Sequence, residues 1–337
     1  MNDSQRLLQI IDRFEQARVL LLGDLVLDRF ILGTPKRISR EAPVIILRHE
    51  GQQDIPGGGA NALANLAALE VRVVPVGVVG DDEPGRALLQ ELHGRAIDSS
   101  RILSVPDFRT PTKVRILGGG ASSLKHQVAR YDIEDVLPGS GVWREAMARH
   151  LEEAMATTAV AAISDYGYGT VTPEMLALVR SRRPVDGWVC LDSRHRLREL
   201  RGVDGATPNL QELEAWSGHP LDSDDQVAAV AEELRRDLGA RFLLATRGNR
   251  GMTLVEEARP ALHIPVFGTD EVADVTGAGD TVLAVLTASL AAGACPSDAA
   301  RLANYAGGIV VMKLGTATVS RAELRRAVKR DLAAAGR

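Results

Sequence analysis

The sequence predicts an α/β fold with a mostly parallel central sheet and helices on both faces. Three observations carry that prediction. Short apolar runs alternate with helical patterns along most of the chain. The runs are continuously apolar, as strands buried on both faces must be. Polar residues then gather at the carboxyl ends of those runs, where ligands bind in such folds.

The strands read in order as "RVLLLGD" (18–24), "VVPVGVVG" (73–80), "AVAAISDYG" (159–167), "GWVCLDS" (187–193) and "RFLLATRG" (241–248). Each is expected to end in Gly, Asp or Ser. Between them lie helical segments such as "NALANLAALE" (61–70), "EPGRALLQELHG" (83–94) and "DDQVAAVAEELRRDLG" (224–239). Asp24, Asp165, Asp192, Asn209 and Thr246 fall at or just after strand ends. Two segments break the rhythm. Residues 29–50 and 108–132 hold β-like runs and turn residues without a clear helix, and they predict a small separate sheet acting as a lid. Within the 337 residues neither an internal repeat nor a low-complexity linker is evident, so one domain spanning 1–337 is expected, with the lid inserted in it.

Composition is that of a soluble globular chain, 45% hydrophobic and 25% charged, with net charge −4 and pI about 6.0. That balance gives no basic field for nucleic acid or membrane. Cys190 and Cys295 lack metal or disulfide spacing. The amino terminus has no signal-peptide core and no apolar run is long enough to span a bilayer, so a cytoplasmic protein is expected.

The glycines narrow the chemistry. No G-x-G-x-x-G follows the first strand, which disfavours dinucleotide binding and hydride transfer. "GDDEPGRA" (80–87) has Arg where a phosphate-binding loop has Lys, and reads as a strand-to-helix turn. "TGAGD" (276–280) is different. Gly277 and Gly279 let an anion approach the backbone, and the apolar "TVLAVLTASLAAG" predicts a buried helix ending near Gly293. Such a helix start favours bound phosphate, and Asp280 beside it is suited to take a proton from an attacking hydroxyl. A capping Asp in a turn is the competing reading.

Further fragments add to it. "PGGGANALAN" (56–65) sets three glycines before a helix with Asn61 and Asn65, suited to sugar hydroxyls, and Asp28 can accept two hydroxyl bonds. "TPNLQELE" (207–214) spaces Asn209 and Glu212 to face a hydrated metal from one helical turn. "ATRGNRG" (245–251) offers Thr246 and Gly248 to a nucleotide. Singly, each is equally a cap or turn residue.

Together, "PGGGANALAN", "TPNLQELE" and "DVTGAGDTV" resemble the signatures of the ribokinase/phosphofructokinase-B sugar kinases, over residues 17 to 330. The resemblance implies a ribokinase-like three-layer sandwich with a β lid. "GDLVLDRF" (23–30), "RISREAPV" (37–44), "TKVRIL" (112–117), "SDYGYG" (164–169) and "KLGTATVS" (313–320) are similar to the heptose 7-phosphate kinases of that family. They imply ATP-dependent phosphorylation of the anomeric hydroxyl of D-glycero-D-manno-heptose 7-phosphate to the 1,7-bisphosphate, on the route to ADP-heptose and lipopolysaccharide. The resemblance implies Asp280 as base and the amides of Ala278, Gly279 and Asp280 as anion hole, after Gly277. It implies sugar contacts from Asp28, Gly58, Gly59, Asn61 and Asp165, Mg²⁺ held through water by Asn209 and Glu212, and an ATP site at Thr246, Gly248 and Asn304. A monovalent cation such as K⁺ is expected at Asp274, Thr276, Gly315 and Ser320. Arg37, Lys113 and Arg115 are the cations expected for the acceptor's phosphate. A homodimer through the lids and a separate adenylyltransferase are the expected partners. The chain departs from those kinases at "CLDSRHRL" (190–197), where Ser193, Arg194 and His195 replace an Asp-Pro-Lys-Gly-like turn; this bears on the sugar, not the chemistry. His195 is expected on the phosphate side and not on a metal. The alternatives are another sugar or sugar-phosphate kinase of the same fold, and a non-catalytic sugar- or nucleotide-binding relative.

Overall fold

The computed structural model describes residues 3–120, 125–268 and 273–335. Its strands are β1 (Arg18–Ile38), β2 (Ile45–Gly58), β3 (Arg72–Gly80), β4 (Ile102–Val105), β5 (Thr112–Gly118), β6 (His126–Ile133), β7 (Val160–Asp165), β8 (Trp188–Ser193), β9 (Gly205–Ala206), β10 (Phe242–Thr246), β11 (Met252–Glu256) and β12 (Leu262–Ile264). The main sheet runs β12-β11-β10-β9-β8-β7-β1-β3-β4. It is parallel from β10 to β4, and only β11 and β12 are antiparallel.

Alternate side chains of each central strand enter two different cores. Val19 and Leu21 of β1, Val160 and Ala162 of β7, and Phe242 and Leu244 of β10 pack with the helices Gly59–Ala68, Ala278–Ala291 and Pro296–Val310. Leu20, Leu22, Ala161, Ile163, Leu243 and Ala245 pack with the helices Trp143–Met155, Pro173–Arg182 and Asp224–Leu238. Double-sided burial explains why these strands are continuously apolar.

The expectation that the first strand ends at Asp24 is corrected. β1 passes through Asp24 and continues to Ile38, leaving the main sheet for a second one. Asp24 makes no turn; it is 1% exposed and accepts the backbone N–H groups of Tyr166, Tyr168 and Thr170. The distal half of β1 pairs antiparallel with β2 and parallel with β5, which pairs antiparallel with β6. This is the lid the sequence predicts, in the order β2-β1-β5-β6; residues 121–124 of the expected segment lie outside the described residues. The triplet 57–59 is closely packed. It joins β2 to the next helix, and Cβ atoms there would lie 2.7 Å from the Asp28 carboxylate at Gly57 and 2.9 Å from the Asp24 carbonyl at Gly59.

Candidate active site

The helix Ala278–Ala291 is largely apolar and buried from Asp280 to Leu290, so the core fixes its position, while Ala278 is half-buried and Gly279 exposed at its start. Gly277 precedes it at φ +77°, and a Cβ there would lie 2.4 Å from the Asn61 amide nitrogen. Asp274 ties the approach down by accepting the N–H groups of Thr276 and Gly315. Burial works against that carboxyl's ionisation, yet these two donors hold it below the usual range.

Asp280 is 2% exposed. Its two oxygens accept from Asn61 Nδ2 at 3.0 Å and from the Tyr166 hydroxyl at 2.9 Å. Burial pushes its carboxyl up to about 6, against the pull of both donors and of Lys113. The result is a carboxylate that is ionised at neutral pH and basic enough to accept a proton.

Three cavities converge here. A cleft of about 690 Å³ under the lid is lined by Lys113, Arg130, Arg194 and His195, by the acidic Glu134 and Asp135, and by Tyr166 and Tyr168. A cavity of about 230 Å³ lies beneath it, between Asp280, Gly279, Asp192, Thr207 and Glu212. A pocket of about 530 Å³ opens beyond, with apolar walls from Met252, Phe267, Val275 and Val282 and polar groups at Thr246 and Asn304. Gly279, Asn209 and Thr246 line both of the last two. The arrangement suits an anionic acceptor, a transfer point and a flat apolar ligand in series.

The expected residues fall unevenly across this site. Gly277, Ala278, Gly279 and Asp280 line the small cavity. Ala278 N–H is taken by the Val275 carbonyl at 3.2 Å, so the expected anion hole is left with the amides of Gly279 and Asp280. Thr246, Gly248 and Asn304 share the larger pocket. Asn209 and Glu212 form a reciprocal capping box at the start of the helix Leu210–Ser217, and Glu212 also lines the small cavity, where burial raises its pKa. Lys113 stands in the cleft, its Nζ 4.8 Å from the centre of the Tyr166 ring, and burial lowers its pKa.

Other expected residues are already engaged within the chain. Asp28 is paired with Arg115 at 2.6 Å and accepts the Thr316 hydroxyl at 2.8 Å. Arg115 is thereby drawn from the cleft and lies over Phe30. Arg37 does not line the cleft; it is exposed near the end of β1. Asn61 donates to Gly277 O and Asp280 and accepts from Asn65, so its carboxamide holds the Asp280 carboxylate. Gly58 and Gly59 are buried against Val26, Tyr166 and Asp24. Asp165 is also buried, with Ser193 at 2.6 Å and Arg196 at 3.2 Å. Ser320 caps the helix Arg321–Ala335 through Glu323, whereas Asp274, Thr276 and Gly315 are joined by hydrogen bonds.

Tyr166, Arg130 and Thr207 are the members that sequence reasoning missed. "SDYGYG" follows a strand carboxyl end, which was the available signal for Tyr166. Asp192, noticed only as a strand-end residue, faces the small cavity, and burial holds its carboxyl well above the usual range, with Glu212 and Asp280 adding to the effect.

A family model described as pfkB family carbohydrate kinase matches residues 16–323. Bifunctional protein HldE of Pseudomonas aeruginosa (strain UCBPP-PA14) is 42% identical over 320 residues, 95% of this chain and 65% of that protein. Bifunctional protein HldE of Halorhodospira halophila (strain DSM 244 / SL1) is 42% identical over 316 residues, 94% of this chain and 64% of that protein. The chain thus spans a little under two thirds of the length of these relatives. Among solved structures, Arabidopsis thaliana ribokinase complexed with ribose and ATP superposes with a TM-score of 0.71 at 18% identity, covering 93% of this chain and 99% of that one. Phosphofructokinase-2 from Escherichia coli in complex with potassium gives 0.71 at 20% identity, with the same coverage. These two share the fold. The chain belongs to the pfkB family of carbohydrate kinases and is a phosphotransferase.

Proposed function

We propose that this pfkB-family kinase phosphorylates the anomeric hydroxyl of D-glycero-D-manno-heptose 7-phosphate, as a step toward ADP-heptose. The observation that carries the reading is the position of Asp280, held by two donors between a cleft that Lys113 and Arg194 enter and an apolar-walled pocket. Lys113 and Arg194 fit the cleft to a phosphorylated acceptor, Arg130 beside them being paired with Asp132, and the likeness of its motifs to the heptose 7-phosphate kinases supports the sugar. Similarity to the bifunctional HldE proteins supports the same pathway.

Asp280 takes the proton from the acceptor hydroxyl. The amides of Gly279 and Asp280, at the positive end of a buried helix, meet the negative charge that builds on the transferred group. Thr246, Gly248 and Asn304 hold the nucleotide beside the apolar wall. Asp192 and Glu212 are suited to a hydrated Mg²⁺, because their burial raises the cost of charge that a cation relieves. When bound, Mg²⁺ supplies neutralisation of the phosphate oxygens. Asp274 is kept ionised beside Gly315 and fits K⁺, with Ser320 occupied as a cap.

ATP consumption with the heptose phosphate, fructose 6-phosphate, ribose and no acceptor tests the reading, with phosphorus NMR locating the new ester. Turnover only with another sugar overturns the heptose assignment and leaves the kinase. Within that test, Lys113→Met should raise the KM for a phosphorylated acceptor more than tenfold. The exposed Ile38, Val44, Ile45, Val128 and Tyr131 of the lid region support pairing of two copies there, and a monomeric mass by light scattering would refute it.

A further inference from the structure

We propose that Tyr166 is a positioning residue for the base: its hydroxyl and the Asn61 carboxamide fix Asp280 with one donor on each oxygen, leaving the other lone pairs for the acceptor. The inference rests on the kinase reading above, and it gives a role to a residue of "SDYGYG" that lies outside "PGGGANALAN", "TPNLQELE" and "DVTGAGDTV".

The geometry of Tyr166 is over-determined. Its backbone N–H is held by Asp24 at 2.8 Å, at the foot of the lid. Lys113 lies over one face of its ring, and a Cβ on Gly58 would come within 3.2 Å of its Cε2. The side chain lines both the acceptor cleft and the small cavity, so it forms part of the wall between them. Burial and the neighbouring Asp280 push the phenol well above its ordinary pKa, so it remains a donor at any working pH. A carboxylate offers about four lone-pair positions, and two are filled here. The two donors favour the ionised form, against the burial that opposes it.

Other groups face Asp280 as well. Lys113 from β5 favours its charge, while Asp28 from β1 and Asp192 from β8 oppose it. Arg194, just after β8, faces Tyr166. None of these is bonded to the Asp280 oxygens, whereas Tyr166 and Asn61 are. Tyr166→Phe therefore removes one bonded donor and keeps the ring, the wall and the Lys113 platform.

The test is a pH titration of carbon-13-labelled Asp side chains by NMR, with the Asp280 resonance assigned by its loss in Asp280→Asn. It needs no acceptor, so it stands even if the heptose reading fails. In the wild type the midpoint is expected at about 6. In Tyr166→Phe it should rise by about one pH unit. The acid limb of kcat/KM for whichever acceptor is used should move by the same amount, with turnover returning to within about threefold of wild type at pH 8.5. An unmoved Asp280 midpoint, or an equal loss of turnover at every pH, would overturn the proposal.

Discussion

Replacing Asp280 by Asn should move activity and stability in opposite directions. The folded chain holds this carboxyl at about 6 instead of the ordinary 3.8, with burial as the largest cause. The difference corresponds to about 3 kcal/mol against the ionised folded state. The folded form prefers Asp280 protonated, and the unfolded form ionises at lower pH. The penalty is therefore absent below 3.8, grows through the interval to about 6, and is complete above it. Asn is neutral and nearly isosteric, so it removes the penalty. Its NH₂ group must meet one of the two donors; the Tyr166 hydroxyl can rotate to accept, at a cost of roughly 1 kcal/mol. The variant should then be more stable than wild type by about 1–2 kcal/mol at pH 7.5, and the gain should vanish or reverse near pH 4.5. Turnover should fall about 10²- to 10⁴-fold, with nucleotide affinity unchanged. Urea unfolding at the two pH values, titration calorimetry with ATP and steady-state kinetics measure all three. A variant less stable than wild type at pH 7.5, or one that turns over normally, would refute the reasoning.

Two further substitutions probe the supports of the site. Gly277→Ala imposes a left-handed backbone on a residue with a Cβ, at about 1–2 kcal/mol, and drives that Cβ against Asn61 at 2.4 Å. Both the melting temperature and the turnover should drop, and unchanged turnover would show that Asn61 does not hold the base. Asp24→Asn leaves one oxygen to serve three loop N–H groups and should cost about 2–4 kcal/mol. Amide exchange at Tyr166, Tyr168 and Thr170 should quicken selectively; unchanged protection there would count against the clamp.

The central sheet was legible because burial on both faces writes itself as continuous apolar runs, and the helix after "TGAGD" because it is largely apolar. The lid was legible only as an interruption of the helical rhythm. Asp24 misled because an acidic residue after an apolar run ordinarily closes a strand, whereas here its charge is satisfied by three N–H groups more than 140 positions away. Asp28 and Arg115 were each read toward a ligand, yet they bind one another across 87 positions, a pairing that only the parallel register of β1 and β5 creates. The same limit hid Tyr166, whose partner Asp280 lies 114 positions away.

Asn209 and Glu212 show why the structural and chemical readings of a motif need not compete. Their reciprocal bonds use Asn209 Oδ1 and Glu212 Oε2 to satisfy two orphan N–H groups at a helix start. That start carries partial positive charge, which by itself favours a carboxylate. Burial nevertheless raises the Glu212 pKa, and Asp192, across the same small cavity, is raised further. The cap therefore fixes Glu212 in place without meeting its whole charge, and the unmet part faces the cavity that Gly279 and Asp280 also line. Here the cap supplies rigidity, and the two carboxyls facing the cavity supply a reason for a cation to bind.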